Sequence, residues 1–280
     1  MATQYHVAHS ATVDGAGLVA GGPWGCALGQ LDRALGPCMS GEGLETAALV
    51  EHAQALANAG ELDPPAGLAG DRVYLFHGAA DTIVSGDLSA AAADFYLSFG
   101  DSVDLTRVDD VPAVHGWPTL AAGAPCDTLG EQFINACGYD TAGAVLGTLL
   151  GELEAPANGE LRAQAFDQRP YAATGLADEG YLFVPPACRD GGCALHVFFH
   201  GCRQSAGQIG TALIEQSGFL GWAASNDLVL LFPQVAASSM APMNPLACWD
   251  WWGYGGEDYL ARDGEQLAAV RAMVEALRSR

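Results

Sequence analysis

The sequence predicts an α/β fold, a mainly parallel sheet with helices on both faces. Three observations lead there. Short apolar runs of strand type alternate with helix-patterned stretches along the chain, the mark of a parallel sheet with covering helices. Half of the 280 residues are hydrophobic, enough for one α/β domain with a sizeable core. The chemistry-bearing residues fall just after strands, where an open parallel sheet keeps its functional loops.

Residues 1–12 read as a helix that lacks a capping residue or a preceding loop. Ala16 to Ala20 is a short strand ended by the turn Gly21-Gly22-Pro23. Gly43 to Ala59 is rich in alanine and leucine and predicts a helix. Val73 to His77 predicts a buried strand, residues 88–99 a helix, and Val103 to Val108 another strand. Two short helices are expected within 129–150. The polar stretch Gly151 to Gly180, with scattered proline and glycine, reads as a connector between two halves of a single domain spanning 1–280. Strands are expected again at 181–184, Leu195 to Phe199 and Leu228 to Phe232, with a helix over 206–224. In the last helix Leu267, Val270, Val274 and Leu277 share one face.

Acidic residues outnumber basic ones 33 to 11, and no lysine occurs. A net charge of -22 repels phosphates and excludes nucleic acid as a partner. Apolar runs never reach the 18 or so residues of a membrane span. The eight cysteines fit disulfides formed in an oxidising compartment. Sequential pairing is the expectation: Cys26 with Cys38, Cys126 with Cys137, Cys188 with Cys193, Cys202 with Cys248. No CxxC or HExxH pattern occurs, so neither a metal nor another cofactor is implied. Export is expected, yet the first ten residues contain neither the basic nor the apolar region of a signal peptide. That contradiction leads to the expectation that the sequence lacks its true N-terminus.

Three loops carry the chemistry. Asp81 follows the strand ending at His77, and His115 follows the strand ending near Val108. Singly, each has a plainer reading, a turn cap and a loop histidine. Together, acid then histidine on successive strand ends fits the α/β-hydrolase order of nucleophile, acid, histidine. There the histidine takes the nucleophile's proton, and the acid fixes its tautomer. The third loop, His200-Gly201-Cys202-Arg203-Gln204, has the strand-then-His-Gly form of an oxyanion loop. It follows the histidine instead of preceding the nucleophile, which predicts a circularly permuted α/β-hydrolase fold. No G-x-S-x-G occurs: Ser40 has Cys38 where the first glycine belongs, and Ser10 ends a helix instead of starting one. A thiolate nucleophile at Cys202 is disfavoured, because a disulfide to Cys248 would remove it.

These motifs resemble those of secreted poly(3-hydroxybutyrate)/polyhydroxyalkanoate depolymerases, which are permuted serine esterases. Residues 1–40 look like the segment after that family's catalytic serine. His77-Gly78-Ala79-Ala80-Asp81 resembles its aspartate loop, Val114-His115-Gly116-Trp117-Pro118 its histidine loop, and Phe199-His200-Gly201-Cys202-Arg203-Gln204 its oxyanion loop. Cys248-Trp249-Asp250-Trp251-Trp252-Gly253-Tyr254 resembles a tryptophan-rich signature. The resemblance implies that Asp81 and His115 are triad members and that the Cys202 backbone N–H is an oxyanion donor. It implies ester hydrolysis of a polyester, with Trp249, Trp251 and Trp117 against the substrate. The alternatives are an acetylxylan- or feruloyl-type esterase, or a non-catalytic polyester- or carbohydrate-binding remnant. The family's serine lies in a Gly-Leu-Ser-x-Gly-Gly-Tyr-Met-like stretch whose last residue corresponds to Met1. The expectation is therefore that the serine and the strand before it are absent and that these 280 residues alone have little activity.

Overall fold

The computed structural model describes residues 1–99 and 103–278. In chain order the elements are α1 (Ala2–Ala8), β1 (Gly15–Val19), α2 (Leu31–Leu35), α3 (Pro37–Ser40), α4 (Thr46–Asn58), β2 (Arg72–Phe76), α5 (Gly86–Leu97) and β3 (Asp104–Val108). There follow β4 (Trp117–Thr119), β5 (Ala124–Pro125), β6 (Ile134–Ala136), α6 (Thr141–Leu150), β7 (Gln164–Asp167), β8 (Glu179–Phe183) and β9 (Ala194–Val197). The chain ends with α7 (Ala206–Ile209), α8 (Ala212–Gln216), α9 (Phe219–Ser225), β10 (Leu228–Phe232) and α10 (Glu265–Arg278).

Two half-sheets form the middle layer. The first is β1-β2-β3, parallel throughout, with Gly15 opposite Arg72 and Arg72 opposite Asp104. The second runs β7-β8-β10-β9; β8 is antiparallel to both β7 and β10, and β10 lies parallel to β9. Alternation along the strands sends successive side chains to opposite faces. Val73 and Leu75 of β2 and Leu231 of β10 enter one core with α1, α4, α5 and α10. Tyr74 and Phe76, with Leu228, Leu230 and Phe232, enter the other with α6, α8 and α9. Both cores thus draw on both half-sheets, giving the α/β architecture with helices on both faces that the sequence predicts. No hydrogen bond joins β1 to β9 among the described residues.

Several boundaries differ from the sequence reading. α1 stops at Ala8, without a side-chain cap at Met1, and its polar residues Gln4 and His6 are as buried as Val7. The helix expected over 206–224 is three short ones, because Gly210 at φ 64° and Gly218 at φ 93° stop the helical path twice. Within 129–150 there is one helix, not two. The segment 133–137 instead supplies β6, which pairs with β4 and β5 and is stapled by Cys126–Cys137. The connector 151–180 contains β7 and the start of β8. The four disulfides follow the sequential pairing.

Candidate active site

The loop after β2 carries Asp81 beside the loop after β3. Their approach needs Gly78: a Cβ there would lie 2.2 Å from the Ala113 carbonyl oxygen. Backbone bonds from Ala79 to Val111 and from Ala80 to Ala113 zip the loops together. They bring the side chain of Asp81, 1% exposed, to His115, whose Nδ1 lies 2.8 Å from Asp81 Oδ2. Oδ1 of Asp81 accepts from the Ile83 and Val84 N–H groups at 2.8 and 2.9 Å. His77 packs behind the pair and donates from Nε2 to the Val84 carbonyl at 2.9 Å. Burial by itself raises the pKa of Asp81. The His115 hydrogen bond, the two amides and the histidine's charge outweigh it and hold the carboxyl below its ordinary value.

With an ionised carboxylate as acceptor, the His115 proton sits on Nδ1 and Nε2 is left basic. That nitrogen has no hydrogen-bond partner among the described residues, while the side chain keeps 27% of its exposure. Ser10 donates instead to the Pro64 carbonyl, and Ser40 to Gly36. Among the described residues no serine hydroxyl is hydrogen-bonded to His115.

Cys202 and Arg203 are exposed on the loop after β9. The Cys202 N–H meets no acceptor among the described residues, whereas its neighbours are tied down: Gly201 N–H to Gln204 Oε1 at 3.0 Å, Arg203 N–H to Leu246 at 2.6 Å. Cys202 Sγ is bonded to Cys248 and cannot act as a thiolate. Gln204 Nε2 also donates to the Phe133 carbonyl at 3.0 Å, and the Phe133 ring stands edge-on to His115, 6.1 Å between centroids. Phe133 therefore links the two loops, and the Arg203 guanidinium lies 5.5 Å from the centroid of its ring. Sequence patterns gave no sign of Phe133, which adopts φ 53° in a short irregular segment; Gln204 was inside a quoted motif but had no assigned part.

The tryptophans separate. Trp249 is 4% exposed, packs on Phe199 and His200, and has an unpartnered Nε1. Trp251 and Trp252 are half-buried against a small cluster that includes Val84, next to the Asp81 loop. Asp250 sets them there by accepting N–H bonds from Gly253, Tyr254 and Gly255, which curl the segment into a tight turn. Trp117 points inward instead: its ring packs with Phe198 and Phe219, and its Nε1 donates to the Ser217 carbonyl at 3.0 Å.

No protein-family model matches the chain. It is similar to a poly(3-hydroxybutyrate) depolymerase of Delftia acidovorans, 40% identical over 288 residues, and spans all of this chain but 57% of that protein. A polyhydroxybutyrate depolymerase of Talaromyces funiculosus is 32% identical over 294 residues, covering 99% of this chain and 86% of its own length. Two solved structures superpose with a TM-score of 0.90 at 30% identity, over 99% of this chain and 91% of theirs. They are the PHB depolymerase from Penicillium funiculosum and a serine-to-alanine PHB depolymerase complexed with an R3HB trimer.

Proposed function

Since the chain belongs to the poly(3-hydroxybutyrate) depolymerase family, we propose that it hydrolyses ester bonds of polyhydroxybutyrate or a similar polyester. The observation that carries this is the buried Asp81 bonded to a partly exposed His115 whose Nε2 is free to work. In this reading Nε2 takes the proton of a serine hydroxyl as the oxygen attacks the ester carbonyl, then returns it to the departing alkoxide. Asp81 holds the tautomer and stabilises the imidazolium. The Cys202 N–H faces the oxygen that becomes negative. Water attacks the acyl-serine in the second half, with His115 again as base. The partly exposed Trp251 is the apolar wall for the hydroxyacyl units, while the buried Trp249 and Trp117 act through the core that they pack into.

The permuted order, with the oxyanion loop after the histidine, and an extracellular site of action belong to the same proposal. Four disulfides support the latter. Among the described residues, no helix is long and apolar enough to cross a membrane.

One observation favours a second reading, binding without catalysis: no hydroxyl is hydrogen-bonded to His115 among the described residues, and the sequence has no G-x-S-x-G. Fluorophosphonate labelling followed by peptide mapping tests both. Binding to polyhydroxybutyrate granules is expected on both readings, and binding without labelling supports the second. Stoichiometric labelling of a serine would place a nucleophile inside the sequence; failure to bind granules would sink the polyester assignment. Release of acetate from xylan, with no clearing of granules in an active form, would favour the acetylxylan-type alternative.

A further inference from the structure

We infer that His200 is a positioning residue whose ring fixes the peptide between Gly201 and Cys202. This rests on the reading of the Cys202 N–H as the oxyanion donor. The Gly201 carbonyl and the Cys202 N–H are the two ends of one planar amide, so holding the oxygen aims the N–H. His200 Nδ1 lies 2.8 Å from that oxygen, and its Nε2 accepts the Val235 N–H at 3.2 Å. A carbonyl cannot donate and a backbone N–H cannot accept, so both contacts demand the same ring, neutral with its proton on Nδ1.

The surroundings keep it so. His200 is 5% exposed beneath Trp249, and burial brings its pKa down to about 4 despite the bond to Gly201. Gln204 N–H shares the Gly201 oxygen at 3.2 Å, closing the turn; the histidine makes the shorter bond, from inside the protein. With the carbonyl held inward, the N–H of the exposed Cys202 turns outward, without an acceptor among the described residues. A donor at the carbonyl end also polarises the amide and makes its N–H a stronger donor. A latch of this kind suits a group that must be in place before charge develops.

Ring nitrogen NMR on the 280-residue protein tests the geometry without any need for turnover. At neutral pH His200 should carry one slowly exchanging proton, on Nδ1. A proton on Nε2 instead, or on both nitrogens, overturns the proposal. Kinetics in an ester-hydrolysing preparation test the consequence. The amide of H200N reaches the place of Nδ1 and keeps the bond to Gly201; that of H200Q reaches the place of Nε2, keeps Val235 and releases Gly201. We expect H200Q to lose about ten- to a hundredfold in kcat at unchanged KM, short of the cost of deleting an oxyanion donor outright. H200N should recover most of that loss. Equal losses in both variants, or a loss confined to KM, overturn the assignment. H115A measured alongside keeps the two ideas apart. If H115A hydrolyses at the wild-type rate, the triad reading fails; if it is dead while H200Q is unimpaired, only the role of His200 fails.

Discussion

At the scale of single residues, the arrangement around Asp81 makes a sharp demand on charge. In D81N the amide oxygen could still accept from Ile83 and Val84, but its NH2 would then face His115 Nδ1. Two donors cannot meet, so the imidazole moves its proton to Nε2, the nitrogen that should be basic. We expect kcat in an esterase-active preparation to fall by about 10^4-fold with the fold intact. A steady-state kinetic comparison with thermal melts checks it; a loss below tenfold would mean that His115 is not the base. The approach of Asp81 to His115 and the loop of Cys202 were legible because each sits in a contiguous motif after a strand. Phe133 and the His200 ring were not. Their roles rest on contacts with residues 18 and 35 positions away, and on a left-handed φ at Phe133 that a phenylalanine gives no reason to expect.

At the scale of elements, the small β4-β6-β5 sheet supports the His115 loop. Its strands are only two or three residues long, too short for a periodic signal, which is why the first of the two short helices expected within 129–150 is absent. The sheet is held by Cys126–Cys137, a separation of 11 residues, and by Val114 N–H donating to the Cys126 carbonyl at 3.1 Å. Removing that crosslink in the C126S/C137S protein should cost about 3 kcal/mol of stability. The denaturant midpoint should fall, and amide exchange at Val114 should quicken more than in β2. Unchanged exchange at Val114 would show that the staple does not hold the histidine loop. The long elements were easier to read: β2 and β10 are continuous apolar runs, and α10 has a clean apolar face.

At the scale of the molecule, acid sets the limit. His9 and His200 are each 5% exposed, and burial lowers both pKa values from 6.5 to about 4. Between those values the unfolded chain binds protons that the folded one refuses, so stability present above pH 6.5 is lost as pH falls toward 4. By pH 5 the loss is up to about 2 kcal/mol per histidine. The excess of 33 acidic over 11 basic residues works the other way, since protonating surface carboxylates relieves repulsion. Most carboxylates stay ionised above pH 5, so the histidines decide the sign there. Guanidine midpoints at pH 7 and 5, in constant salt, should show the lower value at pH 5. A midpoint that rises would mean that surface repulsion dominates. Asp81, with its lowered pKa, adds a loss only at more acid pH.

The two half-sheets have no hydrogen bonds to each other among the described residues, yet share both cores. Buried side chains therefore help to hold them together. Residues 158–160 are exposed, past the point where Ala157 is tied to Gly221. A brief digestion that nicks only this stretch should give two fragments on a denaturing gel that still elute as one particle of intact size. The molecule would then be a split pair able to reassemble from separately made pieces, its joint lying in buried side chains instead of in the backbone.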